Sequence, residues 1–140
     1  MAIAQTATNT FKTGLMNGTF NFGTDTFKIA LYTASASLDA TTAVYTASNE
    51  VVASGYTAGG QALTVTVTPT TGDTGTTAYI SFANTSWTTA VTARAALIYK
   101  VGSGSPSVCV LDFGSDKTST TTFTIQFPTA NNTSAIIRIA

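Results

Sequence analysis

The chain has 140 residues and a mass of 14.3 kDa, enough for one domain with a real core. Only 9% of the residues are charged, six basic against six acidic; histidine is absent and there is a single cysteine. These figures argue against a dedicated nucleic-acid binder, which needs surplus Lys and Arg. They also exclude His-based triads, His-containing zinc sites, and any disulfide or Cys cluster within one chain. Disorder is not expected either. Aromatics make up 10%, and 31 residues are threonine and 21 alanine, a composition of strand formers rather than of a solvated coil. Residues 1–6 carry no basic n-region, and no window reaches the roughly 18–20 apolar residues that cross a bilayer. Synthesis in a cytoplasm without export is therefore expected, with no membrane partner.

Residues 7–16 are the best helix candidate. Phe11 and Leu15 lie four apart on one face with Met16 beside them, Asn9 or Thr10 is placed to cap the start, and Asn17-Gly18 supplies the stop. So short a helix must dock on a sheet or a neighbouring subunit.

The period then changes to two. Thr26–Thr33 places Phe27, Ile29 and Leu31 against Lys28, Ala30 and Tyr32, and Gln61–Thr68 sets Leu63, Val65 and Val67 against threonines. Thr77–Phe82 groups Ala78, Ile80 and Phe82. Ala93–Val101 puts Ala93, Ala95, Leu97 and Tyr99 on one face. Ser107–Phe113, Thr121–Phe127 and Ser134–Ala140 continue the alternation. About seven short strands of this kind predict an all-β fold, an antiparallel β-sandwich or barrel with a short N-terminal helix.

Pro69–Gly75 and Gly102–Pro106 have the composition of hairpin turns, and Pro128 stops the sixth strand. No linker divides the chain. It reads as a single β-domain over 1–140, with an N-terminal arm and helix at 1–18 and a long loop at 34–60. A loop of about 27 residues in a small domain is expected to be functional or to hold a short element of its own.

Threonine accounts for the low charge. It favours strands while its hydroxyl keeps an outward face wettable, so the surface is neutral and has little side-chain entropy to lose against another protein.

Chemistry-bearing patterns are nearly absent. Asp112-Phe113-Gly114 spells a kinase tripeptide without the motifs that accompany it. Asp112 and Asp116 flank a turn but lack the calcium-loop spacing, so Asx bonding is the better reading. Asp25, Asp39, Glu50 and Asp73 are scattered over loops and form no acid–base pair. Cys109 reads as a buried, inert thiol, and Arg94 and Arg138 as ion-pair partners. No catalytic residue, cofactor or metal is expected, and the chain is not expected to be an enzyme. Possible partner contacts are Phe11, Leu15, Tyr45, Tyr56 and Trp87.

Several segments carry a resemblance. Thr26–Thr33, Gly55–Gly60, Thr92–Tyr99, Val110–Lys117 and Ala135–Ala140, with Asn9–Lys12 in the helix, resemble a family of small structural proteins of tailed-bacteriophage virions. The resemblance runs over nearly the whole chain and implies a non-enzymatic part of a phage particle, made in the host cytoplasm. A small, β-rich, neutral chain suits a capsid decoration (cement) protein that binds the major capsid protein and copies of itself, as in a trimer. A tail or head-to-tail component is the alternative within the virion. The alternative of another class is a receptor- or glycan-binding module using Trp87 and the Tyr45–Tyr56 loop.

Overall fold

The computed structural model describes residues 2–72 and 75–140; Asp73 and Thr74, within the turn expected over Pro69–Gly75, lie outside the described residues. Chain order begins with β1 (Thr6–Ala7) and α1 (Asn9–Asn17), then β2 (Phe27–Tyr32), β3 (Gln61–Leu63) and β4 (Val65–Thr70). It continues with β5 (Ala78–Phe82), β6 (Thr85–Trp87), β7 (Thr92–Lys100), β8 (Ser107–Thr118), β9 (Phe123–Ile125) and β10 (Ile137–Ile139). The fold is all-β, as expected, with one short N-terminal helix. Three antiparallel sheets form in the orders β1-β8-β7-β2-β3, β10-β5-β4 and β6-β9.

The main core lies between the five-stranded sheet and the two smaller ones. Phe27, Ile29 and Leu31 of β2 meet Ile80 and Phe82 of β5, Trp87 of β6, and Phe123 and Ile125 of β9. Aromatic rings knit one end of it: Phe22 stacks on Phe27 at 4.5 Å and meets Phe11 edge-on at 5.9 Å.

The helix enters this core differently from its expected spacing. Its buried positions are Phe11 and Gly14, while Leu15 remains 36% exposed. Gly14 is inward because the Phe20 ring presses on it; a Cβ there would lie 2.4 Å from the ring. Thr8, and neither Asn9 nor Thr10, is the N-cap, its hydroxyl accepting from the Phe11 N–H at 3.2 Å. Gly18, with φ +78°, closes the helix as expected.

Two strands deviate from simple alternation. Gln61–Thr68 is divided at Thr64, because β3 pairs with β2 while β4 pairs with β5 in another sheet. Pro69 lies inside edge strand β4 rather than in the turn after it, where its missing N–H costs no ladder bond. In β7, Ala93 joins Ala96 and Ile98 in the main core, whereas Ala95, Leu97 and Tyr99 face the other way. The pairing with β8 slips between Ala93 and Ala95.

The other face of the five-stranded sheet is not open to water. A second core there joins Ala30, Tyr32, Ala95, Leu97, Tyr99 and Val110 to Ala36 and Leu38 from the segment 34–60, with Ile3 and Tyr45 packed at its margin. The long loop is therefore a lid. It is bridged to the start of β8 by Val44 opposite Pro106, to the end of β2 by Glu50 opposite Tyr32, and to the N-terminal arm by Ile3 beside Leu38. With both faces covered, Ala95 to Ile98 are all fully buried in a continuous apolar run.

Gly60, where the lid leads into β3, sits so close to β2 that a Cβ would lie 1.8 Å from the Ile29 carbonyl oxygen, at φ +77°. Gly104 has a similar φ, +84°, with nothing within 4 Å. Gly104→Ala should therefore lose about 1 kcal/mol of stability, the conformational cost alone. Gly60→Ala should lose at least about 3 kcal/mol, since backbone must also move. Urea unfolding of the two variants separates these costs, and equal midpoints would refute the close-approach account.

Candidate functional site

Two places concentrate polar or exposed apolar groups: the anchor of the lid and the face formed by α1 and β10.

The lid anchor is built on Glu50, which is only 7% exposed. Its Oε1 accepts from the Tyr56 hydroxyl and from the Gly59 N–H, both at 2.7 Å, and its Oε2 accepts from the Tyr45 hydroxyl at 2.5 Å. The surrounding groups are satisfied in turn. Tyr56 Oη accepts from the Leu31 N–H at 2.8 Å, Tyr99 donates to the Gly59 carbonyl at 2.6 Å, and Tyr32 donates to the Thr46 carbonyl at 2.6 Å. Tyr45 also stacks on Tyr99 at 4.8 Å. Burial first, and then proximity to the Glu50 carboxylate, raises the phenol pKa values of Tyr32, Tyr45, Tyr56 and Tyr99. Both carboxylate oxygens are occupied by donors from the chain itself, so the arrangement holds backbone in place and presents no free base to a substrate.

A second tie fixes the N-terminal arm. The buried Thr8 hydroxyl donates toward the Ser107 and Val108 carbonyls and lies 2.9 Å from the Ser107 hydroxyl, which donates to the Thr42 carbonyl at 2.5 Å. Arm, helix, lid and β8 meet at these two side chains, so residues 2–8 are part of the fold rather than a free clamp.

The expected contact residues separate into two groups. Phe11, Tyr56 and Trp87 are in the core, at 3%, 8% and 1% exposure, and cannot touch a partner without unfolding. Trp87 packs against Tyr56 and Phe123 and its indole N–H has no partner, so it is a packing residue and not a sugar platform. Leu15 is exposed and Tyr45 is half-buried against Glu50.

Leu15 stands beside Met16 on α1, and Ile139 of β10 is 51% exposed; Leu15 and Ile139 border the same groove. Periodicity missed Met16 as a surface feature and β10 as an edge, although the helix phase set by Gly14 would have revealed the first.

The other candidates have structural roles. Asp112 accepts from the Gly114 N–H at 2.8 Å and from Arg94 Nε at 3.1 Å, and these contacts, in that order, hold its carboxyl below the usual range. That is the Asx bonding expected of it. Arg138 binds the Thr133 carbonyl rather than a carboxylate. Burial pushes the Cys109 thiol up to about 12. Among the described residues no group of three or more acidic, Cys or His side chains could hold a metal ion, and no helix is long and apolar enough to cross a membrane. Comparison of the chain with protein-family models, curated proteins and solved structures found no match.

The lid anchor yields two expected outcomes. Tyr56→Phe leaves the Leu31 N–H and one Glu50 bond unmet in the core, so chemical denaturation should report a loss of about 2–3 kcal/mol. For pH, the phenols titrate near 10 when unfolded and higher when folded. Their contribution is whole below pH 10 and is lost as pH rises from there toward the folded values, because the unfolded chain releases its protons first. Stability followed across pH 9 to 12 should fall more steeply in the wild type than in Tyr56→Phe; parallel curves would refute the assignment.

Proposed function

We propose that this chain is a non-enzymatic structural component of a tailed-phage virion, a decoration (cement) protein that binds the outer shell and stabilises it. Its partners on this reading are the major capsid protein and further copies of itself. The observation that carries the reading is the family-like sequence of its segments, which runs through the helix, β2, β7, β8 and β10.

The physical character of the molecule supports it. Many outward strand positions are threonine or serine, as in the exposed pairs Thr92–Thr118 and Ser86–Thr124, whose hydroxyls meet across strands at 3.0 and 2.8 Å. Such a face can be covered by another protein at little cost in side-chain entropy or charge desolvation. The buried carboxylate is saturated, so the polar chemistry of the interior serves rigidity. Leu15, Met16 and Ile139 supply exposed apolar area for a contact. A glycan-stacking role has lost its platform, with Trp87 and Tyr56 inside the core.

A cryo-EM reconstruction of the virion that contains this chain is the test. Density for it at many copies over the shell is expected. A ring of low copy number at the tail or the portal vertex would replace the cement reading with the tail or head-to-tail one.

A further inference from the structure

A seam lies open between two of the sheets. β1 is an edge of the five-stranded sheet and β10 an edge of the three-stranded sheet. With α1, these two edges border a groove of about 380 Å³. Its walls are largely apolar, from Ala7, Leu15, Ile137 and Ile139.

Two charged side chains line the groove, Lys12 and Arg138; both are cationic and exposed, and no acidic residue is among its lining. Arg94 pairs with Asp112 and Lys100 with Asp25, each at 3.1 Å, while Lys28 and Lys117, among the described residues, form no ion pair. Among the described residues neither Lys12 nor Arg138 has a carboxylate within 4.0 Å. A chain of zero net charge thus places two of its six cations beside an apolar trough.

The backbone offers the remaining element. β10 pairs on one side with β5, through Ile137 opposite Ile80 and Ile139 opposite Ala78, and has no strand on the other. A bare edge of this kind is a template for an added strand. An extended peptide laid along it would turn alternate side chains into the trough and the others toward its rim.

We propose that the groove between α1, β1 and β10 binds an extended segment of a partner protein in which apolar and acidic residues alternate, added as a strand to β10. Its apolar side chains pack on Leu15 and Ile137, and its carboxylates face Lys12 and Arg138. A second copy is the weaker occupant: two-fold pairing of β10 with itself brings the two Arg138 side chains together, and like charges on adjoining strands repel. The inference rests on α1 and β10 forming a contact face, as proposed above, and not on the particle to which the partner belongs.

Selection from a library of short random peptides, with the intact chain as bait, tests it. Enriched peptides should alternate apolar residues with Asp or Glu, and an enriched peptide should slow amide exchange at Ile137–Ile139. Its affinity should fall about tenfold or more for Lys12→Glu/Arg138→Glu. Lys12→Ala/Arg138→Ala should weaken it less, with an unchanged unfolding midpoint for both variants. No enrichment, basic consensus peptides, equal binding by the charge variants, or protection away from β10 would each overturn the proposal. So would a peptide-free dimer that protects β10, which would assign the edge to a second copy. The isolated chain is the sample, so this result and the virion map fail separately: a chain absent from the shell that still selects acidic peptides loses only the cement reading.

Discussion

Closing the second face of the five-stranded sheet is the constraint on which the rest of the molecule depends. β2 and β7 are apolar on both sides, and without the lid Ala30, Tyr32, Ala95, Leu97, Tyr99 and Val110 would form one exposed patch. The only cover the chain supplies there is irregular backbone, and irregular backbone brings donors and acceptors that a ladder would otherwise satisfy. Glu50 resolves the conflict. Burying a carboxylate is costly, but three donors at 2.5–2.7 Å compensate it, two from tyrosines that pack apolar rings into the core and one from the lid's own Gly59 N–H.

The same constraint explains where alanine and glycine are used. A lid without regular structure must approach the sheet closely at several points, and small side chains permit that. Ala30, Ala36 and Ala95 are fully buried, and Gly60 passes against the Ile29 carbonyl where no Cβ could fit. Threonine, by contrast, is buried only at Thr8 and Thr85 among the described residues, and supplies much of the uncharged surface.

How much of this was legible depended on periodicity. β2, β5, β7 and β8, and the regions of β9 and β10, were visible in the sequence because apolar residues alternate within them or past their ends. The two-residue β1 is too short to show a period, and Thr85-Ser86-Trp87 of β6 has a single apolar side chain and so no alternation. Gln61–Thr68 misled for the opposite reason: a chain that leaves one sheet for another at Thr64 keeps its alternation, so the pattern carries no mark of the switch. The lid was legible only as an exception, because Leu38 is held by packing and by backbone bonds to the arm, and Tyr45, Glu50 and Tyr56 by side-chain bonds, at spacings that have no period. For the contact residues, helical spacing put Phe11 and Leu15 on one face, while the ring of Phe20 rotated the buried stripe to Phe11 and Gly14 and left Leu15 outside.

Neutrality has a consequence for how such a surface finds and keeps a partner. With no net charge, long-range steering is weak, and charges at the groove act within a Debye length of about 8–10 Å. Recognition then depends on short-range fit along the seam, where a few apolar side chains and two cations give modest affinity for any one peptide. Modest affinity suffices if the partner is a lattice that offers the same segment many times. Contacts between neighbouring copies through their threonine faces would then add to each groove contact, because a bound neighbour raises the local concentration of the next. A uniformly charged surface would oppose that addition by repulsion between copies, whereas a hydroxyl-rich one does not. The scarcity of charge and the placing of Lys12 and Arg138 beside the groove are thus compatible parts of one design, with specificity kept to the seam and the remaining surface free to pack.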